Sequence, residues 1–284
     1  MDLLLIETIK AIIVGIVQGL TEFLPVSSSA HLIFVQELLG INQPGIAFDV
    51  LLHLGTLLAV IGYFFKDIIE MIKAFFSSIA DIFRGRFKEG FKEDSYKKLT
   101  WMVIIGTIPA GIIGVVFKDP IEATFQSLTI PAFFLLITGF LLYYSQRLNV
   151  GNRNIENSGI KDSLIIGVSQ ALAILPGLSR SGTTISFGLL LGLDKEFAAK
   201  FSFLLAIPAI LGATVVQLKG IGAGIDTNLL AYVLGFLAAL VSGYLAISIL
   251  LKLIREKNLD IFAYYCWILG AIVLIYSLFF VWME

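Results

Sequence analysis

The chain has 284 residues, 58% of them hydrophobic and only 14% charged, with a mean hydropathy of +0.93; soluble domains carry about a quarter charged residues, so water alone is excluded as its solvent. The net charge of -1 rules out neither lipid headgroups nor anionic substrates, because in a membrane protein the placing of charges along the chain matters more than their sum; no nucleic-acid partner is expected. One cysteine, Cys266, excludes an internal disulfide framework and a thiolate metal cluster.

In chain order, the first apolar run starts at Leu3 and is interrupted only by Glu7 and Lys10. No small-residue cleavage pattern follows it before Pro25, so this segment is expected to be retained. Residues 9–39 are apolar but broken at Leu24-Pro25-Val26-Ser27-Ser28-Ser29. A clean crossing follows at 46–65, then an interfacial amphipathic helix at 67–83 and a loop at 84–98. Further crossings are expected at 99–117 and 128–144. Residues 164–193 form a second broken segment, interrupted at Leu175-Pro176-Gly177-Leu178-Ser179-Arg180-Ser181-Gly182. The last crossings are 197–218, 229–251 and 261–282.

A spanning helix needs about 20 apolar residues, and each half of a broken segment is too short. Non-helical backbone at membrane depth is tolerated only inside protein or against a polar cavity, so both broken segments read as re-entrant helix-turn-helix hairpins. The fold class expected is an all-α polytopic membrane protein with six transmembrane helices and two such hairpins. Lys66, Lys73, Arg84, Arg86, Lys88, Lys92, Lys97 and Lys98 crowd one loop, while Arg147, Arg153 and Lys161, and Lys252, Arg255 and Lys257, fill two others. The positive-inside rule puts these in the cytoplasm. Six crossings then put Lys118 and Lys219 outside, in agreement.

The broken segments echo one another. Gly15-Ile16-Val17-Gln18-Gly19-Leu20 matches Gly167-Val168-Ser169-Gln170-Ala171-Leu172, 152 positions on. Phe48-Asp49-Val50-Leu51-Leu52 matches Phe201-Ser202-Phe203-Leu204-Leu205 at nearly the same offset. An internal duplication, residues 1–147 and 148–284 of a single membrane domain, is the reading. Three crossings per half invert the second copy, so the hairpin tips should meet near the midplane, where inverted-repeat proteins place binding sites.

Charge inside a bilayer is costly, and Glu22 and Arg180 are the chief cases, one at each tip. Gln18 and Glu22, four apart, share a helix face and offer oxygens to a divalent cation, magnesium or calcium, whose other ligands would be phosphate and water. Ser27, Ser28 and Ser29 stand where a second short helix starts; one is needed as a cap, and the free N–H groups there suit phosphate. His31, three residues beyond Ser28, can exchange a proton with its hydroxyl or take phosphate itself. His53, the other histidine, reads as a packing or pore-lining residue. In the second tip Ser179, Arg180, Ser181, Thr183 and Thr184 form an anion cradle, with Arg180 forking onto phosphate oxygens.

The segments Gln18-Gly-Leu-Thr-Glu22-Phe-Leu-Pro-Val-Ser-Ser-Ser-Ala-His31 and Pro176-Gly-Leu-Ser-Arg-Ser-Gly-Thr-Thr184 resemble the two signature motifs of the undecaprenyl-diphosphate phosphatases, the bacitracin-resistance family. Length, halves and hairpins resemble that family too. Gln18 stands where the family has Glu or Gln, so Glu22 is the only carboxylate of the pair. The resemblance implies hydrolysis of undecaprenyl diphosphate to undecaprenyl phosphate and inorganic phosphate, which recycles the carrier lipid. It also implies a divalent cation, a place in the plasma membrane and a site open to the extracytoplasmic side.

In that reading Arg180, with Ser179, Thr183 or Thr184, holds the diphosphate. Glu22 and Gln18 position the cation, Ser28 attacks phosphorus and His31 manages the proton; His31 or water as nucleophile stays open. The rival is an inverted-repeat secondary transporter or lipid flippase, which needs less chemistry than Ser28, His31 and an arginine cradle supply. The sequence leaves a homodimer open.

Overall fold

The computed structural model describes residues 3–41, 46–148, 151–218, 228–256 and 259–281. Within them lie thirteen helices and no sheet. They are α1 Leu3–Phe23, α2 Ser28–Leu38, α3 Ile46–Tyr63, α4 Phe65–Phe83, α5 Phe87–Glu93, α6 Ser95–Val116 and α7 Lys118–Thr124, followed by α8 Thr129–Leu148, α9 Ile160–Leu172, α10 Arg180–Leu190, α11 Lys195–Leu218, α12 Leu229–Glu256 and α13 Asp260–Val281. Lys219, Lys257 and Trp282, used above for sidedness and for the last crossing, lie outside the described residues.

Six helices are long and apolar enough to cross a membrane: α1, α6, α8, α11, α12 and α13. Five coincide with expected crossings. The expected crossing at 46–65 is α3, which bends by 82° into α4. The expectation that both arms of the first hairpin are too short to span is corrected at α1. It runs 21 residues, because the apolar pattern extends upstream of Ile9 and Lys10 does not stop it: its Nζ reaches the Leu39 carbonyl at 2.5 Å. The loop expected at 84–98 holds α5 and the start of α6, capped by Asp94, whose carboxylate accepts from the Tyr96 and Lys97 amides at 2.8 and 3.2 Å.

The other hairpin helices are short. At 11 residues each, α2 and α10 rise about 16 Å, roughly half the hydrocarbon thickness. Serines start both: Ser27 accepts from the Ala30 amide and Ser179 from the Gly182 amide. Basic side chains close both at the base, satisfying a last-turn carbonyl: Lys10 on Leu39, and Arg153 on Leu191 at 2.7 Å. The chain therefore re-emerges beside the level at which each hairpin began.

Around the hairpins the helices pair α1 with α12, α9 with α6, α3 with α12, α11 with α6 and α8 with α13. Close approach uses small residues: Gly15 sits against the Gly235 carbonyl, and Gly167 against Gly106. Phe23, at the end of α1, meets Phe203 of α11 edge to face at 5.7 Å, and both are fully buried. Outward faces are apolar, as Ile268, Ile272, Ile275 and Phe279 along α13 show; a stripe at that spacing with no water-compatible group belongs against lipid chains.

Candidate active site

The first break, residues 24–27, follows the last turn of α1 and puts Ser27 in the left-handed region, at φ 68°. That conformation costs a non-glycine residue about 1–2 kcal/mol, and it turns the chain so that α2 starts with its amide groups beside the end of α1. The second break, 173–179, contains Gly177 at φ 97°, where a side chain would collide with the Pro131 carbonyl. Thr138 of α8 pins this tip, donating to the Gly177 carbonyl and accepting from the Ser179 amide, both at 3.0 Å.

The two tips touch. Arg180 Nη2 donates to Glu22 Oε1 at 2.6 Å, with the two side chains only 15% and 7% exposed. Ser181 Oγ donates to the Leu24 carbonyl at 3.1 Å, and the Gly177 amide donates to Ser29 Oγ at 3.4 Å. Cys266, buried and unpaired, contacts the Pro25 carbonyl through Sγ at 3.7 Å.

Glu22 is the hub of the cluster. Its Oε2 accepts from Gln18 Nε2 at 2.9 Å and from Ser28 Oγ at 2.7 Å. Ser28 thus points its proton at a carboxylate, and the expected exchange between Ser28 and His31 is corrected. As the first residue of α2, Ser28 faces back across the break, while His31, one turn on, is held elsewhere. Its Nδ1–H donates to the Ser27 carbonyl at 2.8 Å, since a carbonyl only accepts, and its Nε2 accepts the Tyr265 hydroxyl at 2.7 Å. The ring also stacks on Tyr265, 9° from parallel.

Of the remaining residues, Ser27, Ser179, Ser181, Thr183 and Thr184 are buried and Ser29 is half-buried. Ser27 and Ser29 meet through their hydroxyls at 3.1 Å, and Ser179 and Ser181 do the same at 3.2 Å. Thr184 Oγ1 turns back to the Arg180 carbonyl and meets Ser202 Oγ at 2.7 Å, so it braces α10 against α11. Thr183 Oγ1 and Arg180 Nη1 are buried with no hydrogen-bond partner among the described residues. These are groups that an anion would satisfy.

No group of three or more His, Cys, Asp or Glu among the described residues could hold a metal by itself. Gln18 Oε1 is nonetheless buried without a partner among them, beside the carboxylate that its own Nε2 contacts. One carboxylate and one free amide oxygen fit a hard cation that takes most of its ligands from substrate phosphate and water. Sequence reasoning missed Tyr265 and Thr138. A hydroxyl inside the apolar run 128–144 was a signal for Thr138, whereas tyrosines are too ordinary in membrane helices to single out Tyr265. His53, read above as a packing or pore-lining residue, lies on α3, where its Nδ1 is 2.8 Å from the Asp49 carbonyl oxygen.

Comparison with known proteins gives the following. The family model described as Bacitracin resistance protein BacA matches residues 11–272. A protein of Methanobrevibacter smithii named Undecaprenyl-diphosphatase is 62% identical over 273 residues, covering 96% of this chain and 98% of that one. Proteins of the same name from Methanosphaera stadtmanae and Alkaliphilus metalliredigens are 47% and 46% identical, covering 96% and 95% of this chain and 99% of each relative.

Proposed function

The chain belongs to the bacitracin-resistance family, and on that premise we infer that it is a multi-pass membrane phosphatase hydrolysing undecaprenyl diphosphate to undecaprenyl phosphate and inorganic phosphate. The carrier lipid is thereby recycled. The observation that carries the chemistry is the contact between tips: a serine hydroxyl, a carboxylate that takes its proton and an arginine with a free donor, all within one buried cluster. A carrier needs only to recognise an anion, so the transporter reading is not favoured.

Arg180 holds the diphosphate through Nη1 while Nη2 stays on Glu22. Ser28 Oγ attacks phosphorus and passes its proton to Glu22 Oε2. The bond from phosphorus to the bridging oxygen breaks, and undecaprenyl phosphate leaves with that oxygen. Water then cleaves the phosphoserine, releasing inorganic phosphate. A divalent cation held by Gln18 Oε1, Glu22 and the diphosphate would neutralise phosphate charge as the leaving group departs. His31 is a second candidate nucleophile, because its Nε2 is the unprotonated ring nitrogen, but Tyr265 covers it.

The packing supports two inverted halves. Exchanging α1, α3, α6 and α8 with α9, α11, α12 and α13 turns the pairs α1–α12 and α3–α12 into α9–α6 and α11–α6 and leaves α3–α11 and α8–α13 as they are, whereas the contact of α10 with α8 has no such counterpart among the described residues. With the basic loops in the cytoplasm, the first hairpin enters from outside and the site opens to the extracytoplasmic face. Quenching with detergent the turnover of substrate radiolabelled in its terminal phosphate, then exposing the protein to acid or to alkali, tests the nucleophile. Acid-stable label on wild-type protein, absent from Ser28→Ala, is the expected result; acid-labile label that survives in Ser28→Ala would transfer the role to His31.

A further inference from the structure

Gln170, near the end of α9, is 2% exposed, and neither its amide oxygen nor its amide nitrogen has a hydrogen-bond partner among the described residues. A buried primary amide with both ends unsatisfied is rare, because its desolvation is uncompensated. Its surroundings in the chain show why it is unpaired. Gln18 lies ten residues before the first residue of α2, and Gln170 ten before the first residue of α10. The turns between match as well: Ser27 and Ser179 both cap the next helix, and both meet a serine hydroxyl two residues on.

In the first hairpin Gln18 donates to Glu22. The corresponding position of the second hairpin is Ile174, which has no oxygen to offer. Helix geometry aims Gln170 inward, since Val168 and Leu172, two residues to either side, are each 54% exposed; at 100° per residue both lie about 160° round the helix from it. Thr183 Oγ1 and Arg180 Nη1, the other unpartnered groups of this hairpin, belong to the first turn of α10, which packs on α9.

We propose that Gln170, with Thr183 and the free Nη1 of Arg180, forms the subsite for the phosphate that the lipid keeps, in substrate and product alike. This rests on the phosphatase reading above. The first tip, with Ser28 and Glu22, handles the phosphate that is removed; the second tip holds the one that stays. A neutral amide suits the second task. It donates to a phosphate oxygen without adding a second positive charge beside Arg180.

The test is Gln170→Leu in purified, detergent-solubilised full-length protein, beside wild type. The readouts are kcat and KM for undecaprenyl diphosphate, inhibition by undecaprenyl phosphate, and the melting temperature without substrate. An amide bound only to substrate makes leucine neutral or stabilising in the free protein, because an unsatisfied group is removed. It also makes KM rise about ten-fold, the effect of losing one hydrogen bond to a charged group, with kcat little changed and product inhibition weakened. Gln170→Glu should raise KM further by repelling the phosphate. An unchanged KM in Gln170→Leu, or a fall in melting temperature with KM unchanged, would make Gln170 a structural residue and overturn the proposal while leaving the phosphatase reading intact. A wild-type protein that releases no phosphate would instead overturn both.

Discussion

Replacing Arg180 by methionine removes the guanidinium and keeps most of the side-chain volume. Glu22 then keeps two neutral donors, Gln18 and Ser28, at 2.9 and 2.7 Å, and loses the 2.6 Å ion pair. Its side chain is only 7% exposed, so water cannot replace what is lost. Breaking a buried pair from one side costs about 3–5 kcal/mol, and the two remaining donors put this case near the lower end. Activity falls for a separate reason. A preorganised donor to developing phosphate charge contributes about 100- to 1,000-fold in kcat.

The two effects part in the double variant Arg180→Met with Glu22→Gln. Neutralising both partners removes the uncompensated charge, and stability should return to within about 1 kcal/mol of wild type, while phosphate release stays lost. Thermal unfolding in detergent and a phosphate-release assay read the two quantities. Wild-type activity in Arg180→Met, or a double variant no more stable than the single one, would refute the reasoning.

Tyr265→Phe removes the hydroxyl from His31 Nε2 but keeps the stacked ring, so the fold should persist and, with Ser28 as nucleophile, kcat should change less than about two-fold; a change of about five-fold or more, the worth of one hydrogen bond, would bring His31 into the chemistry. Thr138→Val deletes both bonds that pin the second tip and should cost about 2 kcal/mol in unfolding measurements, with reduced turnover. A chelator should abolish phosphate release and added magnesium or calcium restore it; full activity in chelator would leave Gln18 Oε1 without a cation to hold.

Much of the site was legible because a lipid environment makes polar residues conspicuous. Glu22 and Arg180 stand out within apolar runs, and Pro25 and Pro176 beside serines mark the breaks; the tips do meet there. Spacing alone misled where a side chain could turn two ways. Ser28 and His31 are three apart on α2, yet Ser28 faces Glu22 and His31 faces Tyr265, 234 residues away. The length of α1 was underread because the broken segment was begun at Ile9, although the apolar run starts at Leu3 and Lys10 within it satisfies the Leu39 carbonyl. The bend of 82° between α3 and α4 was legible as the change from an apolar crossing at 46–65 to an amphipathic interfacial helix at 67–83, although no proline marks it and Phe64 stands at the break.

The most direct measurement is the reaction of purified wild-type protein with undecaprenyl diphosphate, followed by separating lipid and phosphate products. Expected is one inorganic phosphate per lipid consumed, with undecaprenyl phosphate as the lipid product, and both formed about 100- to 1,000-fold more slowly by the Arg180→Met protein. No release by wild type, or release of intact diphosphate with free undecaprenol, would contradict a site built to cut between the two phosphates.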